Sequence, residues 1–116
     1  MAKIHMNSTN YPLRVLHGYE GSVNDFDSTI SPGDTTYFIS YNSGNDNNDG
    51  KSEDKPFKNL GKVNSITFKP GDKLKFKSGE TWKGYFKLRG SGSVDKPIEI
   101  ESYSSGNKPK IDGNGF

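Results

Sequence analysis

Cysteine is absent from this 116-residue chain, so it has no disulfide framework and no thiolate metal site, and the redox compartment stays open. Long apolar runs are missing as well. None approaches the roughly 18 residues that a membrane-spanning helix needs, which excludes a helical membrane span. Apolar residues make up only 28% of the chain, against 14 glycines and 6 prolines, so any core is thin and interrupted by many turns. An aromatic content of 12% argues against disorder for the last two-thirds. Histidine is scarce too, and His17 has no companion acid or second histidine at metal spacing. No helix-turn-helix, RRM or zinc-finger pattern is present, and nucleic acid is set aside as a partner.

What the chain does have is alternation. In DKLKFK, Leu74 and Phe76 alternate with Lys73, Lys75 and Lys77, the period-2 pattern of a strand with one buried and one solvated face. GYFKL predicts a second strand with Phe86 and Leu88 on one face. PIEIES alternates Ile98 and Ile100 with Glu99 and Glu101, and PKID brings Ile111 to the Asp112-Gly113 turn. KLRGSG from Lys87 and KIDGNG from Lys110 superpose at an offset of 23, and Leu74 and Ile98 are 24 apart. A near-constant period in the twenties suits a solenoid, in which each coil returns the chain about 4.8 Å further along the axis. The expected fold is mostly β: a short N-terminal cap helix followed by the first coils of a β-helix.

Upstream, residues 1–6 (MAKIHM) lack the apolar core of a signal peptide and are read as an expression scar that could replace an export signal. Residues 7–34 form a polar N-terminal segment, either linker or added strand, whose one apolar patch is Leu13, Val15 and Leu16; residues 35–116 form the cap and coils. TTYFISY, Thr35 to Tyr41, is β-branched and aromatic throughout and predicts a strand. The following Asn- and Asp-rich loop copies the opening of a calcium loop at Asn45, Asn47 and Asp49. Its twelfth position is Pro56, where such a loop needs a bidentate Glu, so Ca2+ binding competes with plain Asx turns. From Pro56 to Ser65, Phe57, Leu60 and Val63 recur at helical spacing with Asp54 as N-cap, which predicts a helix of about ten residues.

The order of YFIS, SGNDNNDG, KPFKNL, KPGDKLKFKSGETWKGYFKL, SGSVDKPIEIESY and GNKPKIDGNG, over roughly residues 35–115, resembles the N-terminal region of bacterial right-handed parallel β-helix proteins of the pectate-lyase-like superfamily. The resemblance implies right-handed coils, an extracellular or cell-surface location, and a parent protein acting on acidic or neutral polysaccharides as a lyase or glycoside hydrolase. It brings no catalytic residues, because in that family they usually sit on later coils. The alternative is a non-catalytic glycan-binding or surface-attachment module.

Charge leaves both readings open. Residues 55–90 hold 10 basic and 2 acidic side chains, a segment that could attract an acidic polymer, although lysines alternating with apolar residues also serve simply as a solvated outer face. Candidate sugar contacts are Trp82 in the GETWKGY loop with Lys83, Tyr85 and Arg89; the competing role for Trp82 is to fill a corner of the core. Glu99 and Glu101 are spaced for an inverting glycosidase but lie opposite Ile98 and Ile100, where charges ordinarily face solvent. With fewer than two complete coils after the cap, the last strands, 98–102 and 110–112, are expected to leave an uncovered edge. Self-association would cover it, end to end or by exchange of residues 7–34; alternatively, that segment folds back in its own chain as a second cap.

Overall fold

The computed structural model describes residues 29–113 and the backbone of Lys3–His5 and Leu13–Val15. Its elements in chain order are β1 (Lys3–His5), β2 (Leu13–Val15), β3 (Thr29–Ile30), β4 (Thr36–Ile39), α1 (Leu60–Asn64), β5 (Ile66–Phe68), β6 (Lys73–Lys77), β7 (Thr81–Lys83), β8 (Arg89–Gly90), β9 (Ile98–Tyr103) and β10 (Lys110–Asp112). They form three sheets, in the orders β3-β5-β8, β2-β9-β6-β4 and β1-β10-β7. Every pairing among β3 to β10 is parallel, whereas β1 and β2 are antiparallel to their partners. The chain thus makes successive passes, β3-β4, then β5-β6-β7, then β8-β9-β10; two sheets gather one strand from each pass, and the third takes β7 and β10 from the last two.

The alternating sequences do what their period requires. Tyr37, Leu74 and Ile100 occupy one register row across β4, β6 and β9 and are buried, while Phe38, Lys75 and Glu101 form the neighbouring row and are partly exposed. Leu74, Phe76, Phe86, Leu88, Ile98, Ile100 and Ile111 share one apolar cluster with Phe57 and Leu60, as the sequence predicts. Aromatic rings lock it: Phe76 meets Trp82 edge to face at 5.1 Å and Phe86 at 5.8 Å, and Tyr37 stacks on Phe57 at 5.9 Å.

The register differs from the internal repeat. Leu74 pairs with Ile100, 26 residues on, and Trp82 with Ile111, 29 residues on, while Thr67 pairs with Arg89 after only 22. KLRGSG and KIDGNG accordingly lie in different sheets, because the corners between strands vary in length and no single period survives them. GYFKL is irregular backbone from which Phe86 and Leu88 still point inward; the strand follows at Arg89. The helix is five residues, half the expected length. Asn59 precedes it without a side-chain cap, and Asp54 is exposed. Pro56-Phe57 is instead drawn into extended pairing with β4: Phe57 N–H donates to Phe38 O and Ser40 N–H to Phe57 O, both at 2.9 Å. Sheet pairing outweighs the helical spacing there.

The expected open edge is also occupied. β2 pairs along β9 and β1 along β10, and β1 falls within residues 1–6, the stretch read as an expression scar.

Two glycines test the packing from opposite sides. Gly90 has φ +109° and sits against the backbone of Phe68, where a Cβ would collide with the carbonyl oxygen; Gly61, in α1, has open space around it. Gly90→Ala is expected to cost more than about 2 kcal/mol from strain and overlap, and Gly61→Ala to add about 0.5–1 kcal/mol from helix propensity. Urea unfolding of both variants reads the difference.

Candidate functional site

A parallel sheet leaves the chain at each strand end with backbone N–H groups that no ladder satisfies, and two buried acids meet them here. Asp72, fully buried, accepts the Thr35 N–H at 3.0 Å and the Lys69 N–H at 2.8 Å, tying the corner before β4 to the corner before β6. Glu80 does the same beyond the other strand ends. Its Oε1 accepts the Tyr41 N–H at 2.7 Å, and the Ser40 hydroxyl donates to both its oxygens at 3.0 and 3.2 Å.

Around Glu80 the C-terminal ends of β4, β6 and β9 bring together several polar and aromatic side chains. Tyr103 packs edge to face on Phe38 at 5.2 Å. Burial of its phenol, with the charges of Glu80 and Glu53 nearby, outweighs a hydrogen bond with Ser40 and pushes its pKa up to about 12. Tyr41, 43% exposed, has the Lys58 ammonium 4.3 Å from its ring centroid, and that ammonium donates to the Tyr41 carbonyl at 2.6 Å. Tyr41 offers an aromatic surface to solvent, whereas Glu80 is committed to three donor contacts and braces the corner. Sequence reasoning passed over Glu80, Asp72 and Tyr41. The available signal was an acid placed directly after a turn glycine, in SGE and PGD.

The candidates named from sequence are scattered. Trp82 is 1% exposed, and its indole N–H donates to Lys58 O at 2.8 Å, so no ring face is available to a sugar and the corner-filling role is the one it has. GETWKGY holds β7 where a loop was expected. Tyr85 is 52% exposed with the Lys87 ammonium 5.5 Å from its ring centre; Lys83 is exposed, and Arg89 is half-buried in β8. Asn45 Oδ1 accepts the Asn47 N–H at 2.8 Å, and Asp49 Oδ1 accepts the Lys51 N–H at 2.9 Å, both as Asx turns. Among the described residues no three His, Cys, Asp or Glu side chains group as a metal site. Asp46, between them in sequence, accepts the Lys58 and Asn59 N–H groups and the Asn59 amide, each at 2.9 Å. Burial works to raise its pKa, but those donors and the Lys62 charge outweigh it and hold Asp46 below the ordinary carboxylate value. Glu99 and Glu101 stand in register with Lys73 and Lys75, and the Lys73 ammonium is 3.7 Å from Glu99. They belong to the outer face of the sheet.

No family model matches the chain. It is similar to the lacto-N-biosidase of Bifidobacterium longum subsp. longum, with 36% identity over 94 residues that make up 76% of this chain and 6% of that protein. The solved GH136 lacto-N-biosidase of Eubacterium ramulus matches at 36% identity with a TM-score of 0.61, over 65% of this chain and 12% of that one. Its selenomethionine derivative matches at 31% identity and a TM-score of 0.55 over the same shares. These relatives are glycoside hydrolases, and the chain spans only about a tenth or less of their length.

Two titrations check the site. A raised phenol pKa means that Tyr103 contributes its full stability below about pH 10 and loses it as pH rises toward about 12. Subtracting the pH profile of Tyr103→Phe from that of the wild type should leave a fall of roughly 2–3 kcal/mol across that window, measured by urea unfolding. Asp46, whose pKa is lowered, stabilises above the ordinary carboxylate pKa and loses its contribution as pH falls through its folded value. Asp46→Ala should therefore cost about 1–3 kcal/mol at neutral pH and much less at the acid end of the profile.

Proposed function

We propose that the chain is the N-terminal capping and opening-coil section of an exported, carbohydrate-active parallel β-helix protein, in which α1 and the 41–59 loop close one end of the solenoid. Within a longer polypeptide it would support glycoside hydrolysis of the lacto-N-biosidase kind without supplying the reacting carboxyls. Membership of the pectate-lyase-like superfamily is part of the same proposal.

The observation that carries the reading is the parallel register that returns strands of successive passes to the same sheets, from all three passes in two sheets and from the last two in the third. Stacked passes bury a continuous core only when further passes or caps follow, which suits a section of a long repeat protein. Its buried acids support the same division of labour, because Asp72 and Glu80 bond to backbone and hydroxyl donors across neighbouring passes rather than facing each other across a cleft.

A chimera provides the test. The section of the Bifidobacterium longum enzyme that matches this chain is replaced by this chain, and release of p-nitrophenol from a p-nitrophenyl lacto-N-bioside is followed. The chimera should retain turnover, and the isolated chain should show none. Turnover by the isolated chain that Glu99→Gln or Arg89→Ala abolishes would place catalysis within these residues and defeat the proposal.

A further inference from the structure

Exposed loops are where a protease enters a folded chain, because it must draw several residues into an extended conformation in its own cleft. Among the described residues the longest exposed runs are 51–55, 93–96 and 104–108, with a shorter one at 69–70. Each contains a lysine that stands directly before a proline: Lys55-Pro56, Lys96-Pro97, Lys108-Pro109 and Lys69-Pro70. The repetition has an architectural cause. Proline fixes its own φ and holds the residue before it extended, so each pair turns a loop back toward a strand or a corner.

The same pairs bear on cleavage. A protease of the trypsin type hydrolyses the bond after lysine or arginine, and its histidine must deliver a proton to the leaving nitrogen. Proline places a ring on that nitrogen and obstructs the step. Of the seven exposed lysines within 29–113, Lys55, Lys69, Lys96 and Lys108 are protected in this way. Lys83 and Lys110 lie in β7 and β10, in register with Asp112 and Thr81, and the Gly84 N–H donates to Asp112 O at 2.9 Å. The other basic residues there are half-buried, in α1, β6 and β8 or, at Lys58 and Lys87, with the main-chain N–H bonded to the side chains of Asp46 and Asn64. Lys51, followed by the exposed Ser52, is what remains.

The loop around Lys51 is held by contacts that close on the loop itself. Lys51 N–H donates to Asp49 Oδ1 at 2.9 Å, Gly50 N–H to Lys55 O at 3.0 Å and Lys55 N–H to Ser52 O at 3.1 Å. Opening these costs no strand pairing. On either side of the Lys51–Ser52 bond the chain is anchored separately. Before it, β4 pairs with β6 from Thr36 opposite Lys73 to Ile39 opposite Phe76, and Tyr37 and Ile39 sit in the core. After it, Phe57 exchanges main-chain bonds with Phe38 and Ser40 and joins the same core.

We propose that the Lys51–Ser52 bond is the point at which a protease of the trypsin type processes the folded section 29–113, and that the cut chain stays assembled as two interlocked pieces. Water adds across the amide and the C–N bond breaks, leaving a carboxylate on Lys51 and a free amino group on Ser52. The first pass is then held to the others without a covalent link. Strand pairing, the shared core and the bonds from Thr35 N–H to Asp72 and Tyr41 N–H to Glu80 keep it in place. The proposal stands apart from any glycosidase activity, since it depends on the loop and its neighbours alone.

The test treats the full chain with trypsin under native conditions and follows the products by intact mass. Lys3 and Arg14 precede the section, so cleavage is read within residues 29–113. The first cut there should follow Lys51. The two pieces it separates should elute together in size-exclusion chromatography without denaturant and apart in urea. Lys51→Ala, an exposed loop substitution that leaves the core untouched, should lengthen the survival of the section by about tenfold, because the next sites open only when pairing or a bonded corner is lost. A first cut within the section at any other residue overturns the proposal. Equal survival of Lys51→Ala, or pieces that part without denaturant, does so as well.

Discussion

The constraint on which this structure depends is the satisfaction of backbone N–H groups where the chain leaves one strand and turns toward the next. Strands of two to six residues mean frequent corners, and each corner exposes amides that the ladders cannot reach. Water would satisfy them on the outside, but Thr35, Lys69 and Tyr41 turn theirs toward buried carboxyl groups. A fully buried acid without a cationic partner is costly unless hydrogen bonds replace its hydration. Asp72 meets that condition with two main-chain donors separated by 34 residues in sequence, Thr35 and Lys69. Each acid is therefore a bond between passes, and the apolar rows stack in register because these corners hold them at fixed height.

The same arrangement explains what the residues revealed and what they concealed. DKLKFK and PIEIES were legible because alternation is local: every second residue must be apolar for one face to be buried, whatever the rest of the chain does. The inward face of Phe86 and Leu88 was legible for the same reason, even though the backbone there is irregular. Ile66-Thr67-Phe68 and Thr81-Trp82-Lys83 were not, since three residues carry too little period and both follow segments with stronger local signals. Register was read wrongly for a related reason. A repeat found by matching KLRGSG to KIDGNG presumes equal corners, and the corners here range widely. The site was barely visible. Trp82 drew attention as the single large indole, but a thin core has few residues able to fill a corner, and burial claimed it. Asp72 and Glu80 gave no sign of their role because their partners Thr35, Ser40 and Tyr41 lie more than thirty residues away.

Similarity to two lacto-N-biosidases sits comfortably with a chain whose ionisable groups are engaged in architecture. A hydrolase of this kind must hold two carboxyls at a set distance across a glycosidic bond, with solvent access for water or room for a covalent intermediate. Buried acids engaged by main-chain and hydroxyl donors, as Asp72 and Glu80 are, have neither access nor freedom. Glu99 and Glu101 lie in rows with lysines on the outer sheet face, and Glu99 is largely covered beside the Lys73 ammonium. What remains exposed and aromatic, Tyr41 beneath the Lys58 ammonium and Tyr85 beside Lys87, offers surface without chemistry. The proposed division between a structural section and a reacting one is supported by where the hydrogen bonds of Asp72 and Glu80 go.

A stack of parallel strands has two ends, and they pose different problems. At the β4 end, the edge is covered by the chain's own next segment: Phe38 N–H donates to Gly50 O, and Phe57 exchanges bonds with Phe38 and Ser40. That cover is local, follows β4 directly, and forms as soon as the 41–59 loop closes. At the β9 and β10 end no later described segment is in place to do the same, and the cover comes from residues that precede the stack. A cover recruited from so far away cannot form until the last pass is built, so the two ends must close at different stages of folding. Loop-closure entropy makes the near cover early and the far one late. The late cover has three register pairs on each of its two strands, against a single bridge between Ile39 and Phe57 for the near one, so the cover that closes first is not the one with more pairs. The two ends are therefore closed in different ways, at β4 by one bridge and a few main-chain bonds from the segment that follows it, and at β9 and β10 by two antiparallel strands from the start of the chain.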